Sequence, residues 1–161
     1  MNTKYIKVFL RVSIAIGFLS AVADRFGLYA KEISAWGNWQ AFVNYTQQMN
    51  PWFPETIIPG LAILVTALEI VFAVNLLFGF KTEITAKLSG VLLLIFGLSM
   101  TLAFGIKPAL DYAVFGLSAA AFALSTMQHK YLEIIQDQYQ LLSSPSFVLN
   151  RYDVLVLIKS Q

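Results

Sequence analysis

The 161-residue sequence predicts an all-α membrane protein: an antiparallel bundle of four transmembrane helices, with a short interfacial helix between spans 1 and 2. Three observations predict it. Hydrophobic residues make up 58% of the chain and charged residues only 12%, where a soluble domain carries roughly 25% charged residues. The mean hydropathy is +0.68, and a chain this short has too much surface to hide so many apolar side chains from water. Finally, the apolar residues gather into four stretches close to the about 20 residues that cross a bilayer as a helix. Hydrocarbon cannot satisfy backbone polar groups, which selects helices. The alternation of a membrane barrel strand is absent.

The first span runs from about 5 to 23, with Lys7 and Arg11 as its interior charges. Its rival reading is a cleaved leader, because the apolar run ends Ala21-Val22-Ala23. Ser13, Gly17, Ser20 and Asp24 form one small and polar stripe, which suits a retained packing helix better. The connection that follows holds all three tryptophans. Trp36, Trp39, Phe42 and Val43 share one helical face in an otherwise polar segment, and Asn50-Pro51 ends it. An interfacial amphipathic helix is expected there, either as an aromatic belt that sets depth or as a lid over a cavity between the helices.

The second span, about 57–80, contains a single charge, Glu69. Gly79 suits its C-terminus and Thr82 the N-cap of the next helix. The third span, about 88–105, has no charge, and Gly90, Gly97 and Thr101 share one face. The fourth, about 108–127, begins with Pro108 in its first turn. Asp111, Ser118 and Ser125 share a face of it, with Phe115 and Phe122 between them. Short turns make these spans antiparallel neighbours. Residues 1–128 thus form the membrane domain, and 129–161 form a cytoplasmic tail. In the tail, Leu132, Ile135, Tyr139 and Leu142 fit a helix face, and Val154 to Ile158 is a short β-type run.

Lys4, Lys7, Arg11, Lys81, Lys87, Lys130, Arg151 and Lys159 all fall on one side of such a bundle. The other side keeps Arg25, Lys31 and Lys107, which places both termini in the cytoplasm.

Several chemistries are excluded outright. The chain has no cysteine and one histidine, His129. That removes disulfides, thiol nucleophiles, iron–sulfur ligation, a bis-histidine haem and the usual Cys/His zinc site. A net charge of +2 is not that of a nucleic-acid binder. Nor is there a phosphate-binding loop, dinucleotide fingerprint or nucleophile triad.

Glu69 is the sharpest single signal, because a charge deep in an apolar helix costs several kcal/mol or more unless paired or protonated. Structurally it would pair with Arg11, or be satisfied by hydroxyls such as Thr66. Functionally it would contact a ligand or handle a proton. Arg11 has an alternative of its own, snorkelling to the headgroups. Asp24 and Asp111 sit at similar depth near the outer surface. They either bridge to Arg25 and Lys107 or rim a polar pocket beneath the tryptophan-rich segment. The candidate ligand-binding set is therefore Glu69, Thr66, Asp24, Asp111, Ser118, Trp36 and Trp39. His129 reads as an interfacial residue at a helix C-terminus.

The segment Arg11-Val-Ser-Ile-Ala-Ile-Gly-Phe-Leu-Ser-Ala-Val-Ala-Asp-Arg-Phe-Gly27, the loop Trp36-Gly-Asn-Trp39 and Asn50-Pro-Trp52 form a linked pattern. Thr66-Ala-Leu-Glu69, Gly79-Phe80, and Gly105-Ile-Lys-Pro108 with Asp111-Tyr112 extend it. Over about residues 5 to 128 the chain resembles the DoxX family of small four-helix bacterial membrane proteins. The resemblance implies a multi-pass protein of the bacterial plasma (inner) membrane. It also implies a subunit or accessory protein of a quinone-linked redox or redox-stress system; the sequence itself shows no cofactor, and quinone is the one that the resemblance allows. No catalytic motif carries over, so a self-sufficient enzyme is not expected. The partners expected are the lipid bilayer and either a redox partner protein or further copies of the chain. The competing readings are a membrane carrier for a small apolar ligand, with Glu69 orienting it, and a purely structural subunit.

Overall fold

The computed structural model describes residues 2–127, and these are helical almost throughout. The order is α1 (Thr3–Arg25), α2 (Trp39–Met49), a single 3-10 turn (Glu55–Ile57), α3 (Ile58–Phe78), α4 (Thr82–Phe104), α5 (Ile106–Asp111) and α6 (Val114–Ser125). His129, the expected tail helix and the Val154 to Ile158 run lie outside the described residues.

Three helices are long and apolar enough to cross a membrane: α1, α3 with its leading 3-10 turn, and α4. Their burial pattern is inverted relative to a soluble bundle. On α3 the buried stripe is Ile58, Ala62, Thr66, Glu69, Phe72, Ala73 and Leu76, so the charge faces inward. Ile63, Leu64, Ile70, Val71 and Val74 face outward. An apolar exterior around a polar interior stripe suggests a membrane protein.

The fourth expected span is not one continuous helix. The chain breaks at Tyr112 and Ala113, and Ala113 adopts a left-handed backbone with φ 52°. No proline or glycine marks the break. Both α5 and α6 pack on α4, and α6 runs along it past Gly97 and Gly90. The short turn between α3 and α4 also differs in detail from expectation. Gly79 does cap α3 in the left-handed region at φ 70°, and the Phe80 amide donates to Asn75 O at 2.8 Å. Lys81, however, precedes α4 with φ 43°, and Thr82 is already the first helical residue.

The bundle is built from two closely packed pairs, α4 with α6 and α1 with α3. The glycine stripe of α4 explains the first. A Cβ at Gly97 would stand 2.7 Å from the Phe115 ring, and one at Gly90 would stand 3.0 Å from the Phe122 ring. Ser118 Oγ donates to Gly90 O at 2.8 Å across the same seam. Glycine here is a socket for an aromatic knob, the close approach that binds helices where lipid supplies no hydrophobic drive. Gly97→Val should therefore destabilise the purified protein by about 1–3 kcal/mol through overpacking. Adding Phe115→Ala to that variant should recover part of the loss. Thermal unfolding in detergent measures both, and an undisturbed Gly97→Val protein would refute the socket.

The second pair is antiparallel, and α1 holds it with two arginines. Arg11 Nε donates to Leu76 O at 2.9 Å, and Arg11 Nη2 donates to Leu77 O at 3.1 Å. These carbonyls lie in the last turn of α3, where they have no partner within the helix and carry the negative end of its dipole. Arg25, about 21 Å further along α1 by helical rise, meets Thr66 and Glu69 instead.

Candidate functional site

Arg25 closes α1, where the helix dipole favours a cation. Its Nη1 donates to Thr66 Oγ1 at 2.8 Å, and both terminal nitrogens grip the Glu69 carboxylate, Nη2 to Oε1 at 3.0 Å. Thr66 Oγ1 in turn donates to Ala62 O at 2.8 Å. Both charged side chains are almost wholly buried, at 3% and 2% exposure. A two-pronged pair with a hydroxyl behind it is the arrangement that makes buried charge tolerable.

The expected partner of Glu69 is thereby corrected: the carboxylate takes Arg25, and the Arg11 guanidinium binds the α3 carbonyls. The reason is the tilt of side chains toward the N-terminus of their own helix. In the antiparallel α1–α3 pair, Arg25 leans down toward Glu69, and Glu69 leans up toward Arg25. Arg11 leans the same way as Arg25, but it starts beyond Glu69 and so points away from it, toward the end of α3.

The guanidinium also stacks on aromatics. Its Cζ lies 3.8 Å from the Phe42 ring centroid and 5.4 Å from that of Trp36. Trp36 meets Phe42 edge-on at 5.1 Å and Tyr45 at 5.8 Å. Cation–π attraction strengthens when the pair is desolvated. The Arg25 Nε–H is buried and has no partner among the described residues.

α2 supplies this aromatic cover. Asn38 caps it, accepting from the Ala41 amide at 2.9 Å. Phe42, Val43, Thr46 and Met49 face inward. The loop before it is pinned by Asp24, whose carboxylate accepts from Ser34 Oγ, from the Ala35 amide at 3.0 Å and from the Trp36 amide at 2.9 Å. Asp24 thus does not bridge to Arg25; it latches the segment that carries Trp36.

Beneath this cover lies a cavity of about 910 Å³, bounded by α1, α2, α3 and α4 and by the start of α6. Its walls are largely aliphatic and aromatic. Asp24, Arg25, Glu69, Tyr45 and Ser99 are among the few polar groups on it. Burial, and secondarily the field of Tyr112, push the Tyr45 phenol above its ordinary value, and a phenol can donate as well as accept a hydrogen bond. Apolar walls with a few placed polar groups are the common form of a small-molecule site.

The expected site residues divide accordingly. Glu69, Asp24 and Trp36 line the cavity. Thr66 stands behind Arg25 and, with Trp39, lines a separate shallow groove with Phe26 and Ile70. Ser118 is spent on the α4–α6 seam. Asp111 is exposed, pairs with Lys107 at 2.5 Å one turn away, and is not on the cavity wall. The reading of Asp24 and Asp111 as a shared rim is therefore half corrected: Lys107 does hold Asp111, and α5, ending at the break, keeps both outside. Arg25, Tyr45 and Ser99 were not in the expected ligand set. For Arg25 a signal existed, since its place at the end of α1 and the side-chain tilt aim it inward. Tyr45 and Ser99 depend on which faces α2 and α4 present, which no local pattern fixes. Among the described residues, no three His, Cys, Asp or Glu side chains cluster to hold a metal ion.

Comparison of the chain with family models, with curated proteins and with solved structures yields no match.

Proposed function

We propose that this is a DoxX-type integral membrane protein of the bacterial inner membrane, a subunit or accessory protein of a quinone-linked redox system. In this reading it crosses the bilayer four times, with both termini cytoplasmic. α5 and α6 together make the fourth crossing, and the Trp36 to Trp52 region lies outside. The basic residues support this orientation, since Lys4, Lys7, Arg11, Lys81 and Lys87 gather at one end of the helices.

The observation that carries the functional reading is the cavity, apolar in most of its walls and charged where the Arg25–Glu69 pair and Asp24 line it. A quinone has the matching chemistry: a flat apolar ring with carbonyl acceptors. Arg25 and the Tyr45 hydroxyl are donors for such carbonyls, and the Trp36 and Phe42 rings offer stacking faces. The chain contributes no bound redox centre in this reading. It would hold and orient the quinone while electrons come from a partner protein.

Purification in mild detergent followed by mass spectrometry of the extracted lipids tests it. Quinone is expected at near-equal amounts with the protein, and far less after Arg25→Met. A different small molecule retained in its place would favour the carrier reading, which the predominantly apolar wall also suits. An empty protein that also fails to bind added quinone would overturn both.

A further inference from the structure

The cavity wall is interrupted at two places: between α3 and α4, and at the rim under the loops, where Tyr29, Ile33, Phe53 and Tyr112 line it and are exposed. Leu64 on α3 and Ile95 on α4 both line the cavity, yet they are 55% and 52% exposed. Few side chains can do both unless they flank an opening. Their depth agrees, because α3 and α4 are joined at Gly79 to Lys81. Counting from that turn, Leu64 and Ile95 lie about 22 Å and about 21 Å along their helices by helical rise. The two helices also pack on each other less than α3 packs on α1 or α4 on α6. The slot between them carries Leu61, Leu64, Leu68, Leu92 and Ile95, with no charged side chain. Since α3 and α4 are both long and apolar enough to span a membrane, the slot would face acyl chains in a bilayer.

The other end of the cavity is built differently. There α2 and the latched Ser34 to Trp36 segment cover it, and Arg25 and Glu69 sit at its inner wall. The volume of about 910 Å³ is near the top of the about 300–1,000 Å³ range of ligand pockets. It has room for a ring-sized head and the first part of a chain.

The geometry points to a lateral portal between α3 and α4, flanked by Leu64 and Ile95. The ligand class it admits is a single-tailed amphiphile. The head, an acceptor of hydrogen bonds, rests against the Arg25 end, and the tail leaves through the slot into the bilayer. This rests on the cavity being the quinone site proposed above, and it adds that the tail is part of what is recognised. A head with no chain enters from water, where α2 and the loop cover the cavity. A tailed ligand diffuses in from the membrane.

The experiment uses the full chain in proteoliposomes and two photoactivatable probes. One is a benzoquinone with a diazirine in a ten-carbon tail, and the other is a fatty acid with the same diazirine. With the quinone probe, cross-links are expected at Leu64, Leu68 and Ile95, suppressed at least tenfold by excess unlabelled quinone. Combining Leu64→Trp with Ile95→Trp should plug the slot and lower that labelling at least fivefold. Background labelling at lipid-facing Ile63 and Leu102 should not change. Suppressible slot labelling by the fatty acid alone would keep the portal and reject the quinone. Suppressible quinone labelling at Ile33 or Phe53 instead would keep the quinone and reject the portal. Labelling by both probes that is not suppressible and is spread evenly over Ile63, Leu102 and the slot would overturn both.

Discussion

Glu69→Gln is expected to lower the stability of the purified protein by about 3–5 kcal/mol, the cost of removing one partner from a buried pair. The lower end of that range is the better guide, because polar groups in a membrane find substitute partners even when helices separate. The loss comes from Arg25, left almost wholly buried between Phe42, Trp36 and an amide that cannot balance its charge. Arg25→Met alone should cost a similar amount by stranding the Glu69 carboxylate. The two changes together should recover much of the loss, since a neutral pair of similar volume owes no charge desolvation. Thermal unfolding of the wild type, the single variants and the double variant in one detergent measures the coupling. Arg11→Met supplies the contrast: it removes the cap on Leu76 O and Leu77 O and should add independently to Glu69→Gln. Strong coupling of Glu69 to Arg11 instead of Arg25 would refute the assignment. Ligand binding adds a separate readout, because the double variant regains stability but not the charged end of the cavity.

Asp24→Ala is the second change with a large expected effect. It removes three hydrogen bonds to one carboxylate and leaves the Ala35 and Trp36 amides without their acceptor. Hydrogen bonds to charged groups contribute about 1.5–3 kcal/mol each. They are not additive here, because the three share one loop, so a local loss of about 2–4 kcal/mol is expected. The global fold should survive, since α1, α3, α4 and α6 do not depend on that loop. The consequence is an unlatched cover. Amide exchange at Ser34 to Trp36 should rise by two orders of magnitude or more, with α3 and α4 protected as before. Asp24→Asn should fall between, keeping two acceptor lone pairs but losing the charge. Global unfolding of Asp24→Ala, with equal loss of protection in α4, would show that the carboxylate supports the bundle and not the cover.

The helices themselves were readable from local pattern. Apolar length marks α1, α3 and α4, because the bilayer sets a length that composition must match. Gly79 announces the end of α3, since only a residue without Cβ enters the left-handed region freely. Gly90 and Gly97 were visible as one stripe, with Phe115 and Phe122 between the polar residues of the next span, but that they meet as socket and knob came from the packing of α4 on α6. The break at Ala113 was not visible. Nothing at residues 111–115 forbids a helix, so no local pattern announces the turn between α5 and α6. Thr82 was expected as an N-cap by type, but the reversal uses left-handed backbone at both Gly79 and Lys81 and starts α4 one residue early.

The sequence by itself determined that Glu69 needs an answering group, because an isolated charge in an apolar helix is too costly to leave alone. From the sequence Arg11 is the expected cation, with Arg25 assigned to Asp24, although both arginines lie on α1. The choice between them came from the antiparallel pairing of α1 and α3. Side chains lean toward the start of their own helix, so only one of the two arginines leans toward the carboxylate. The same holds for the cavity. Its residues come from six separate segments, and periodicity shows which face of each helix is apolar but not which apolar faces stand apart. A void is a property of the distances between helices, set by the large and small side chains of both partners at once. That is why Glu69 could be named from the sequence, whereas the slot between Leu64 and Ile95 could not.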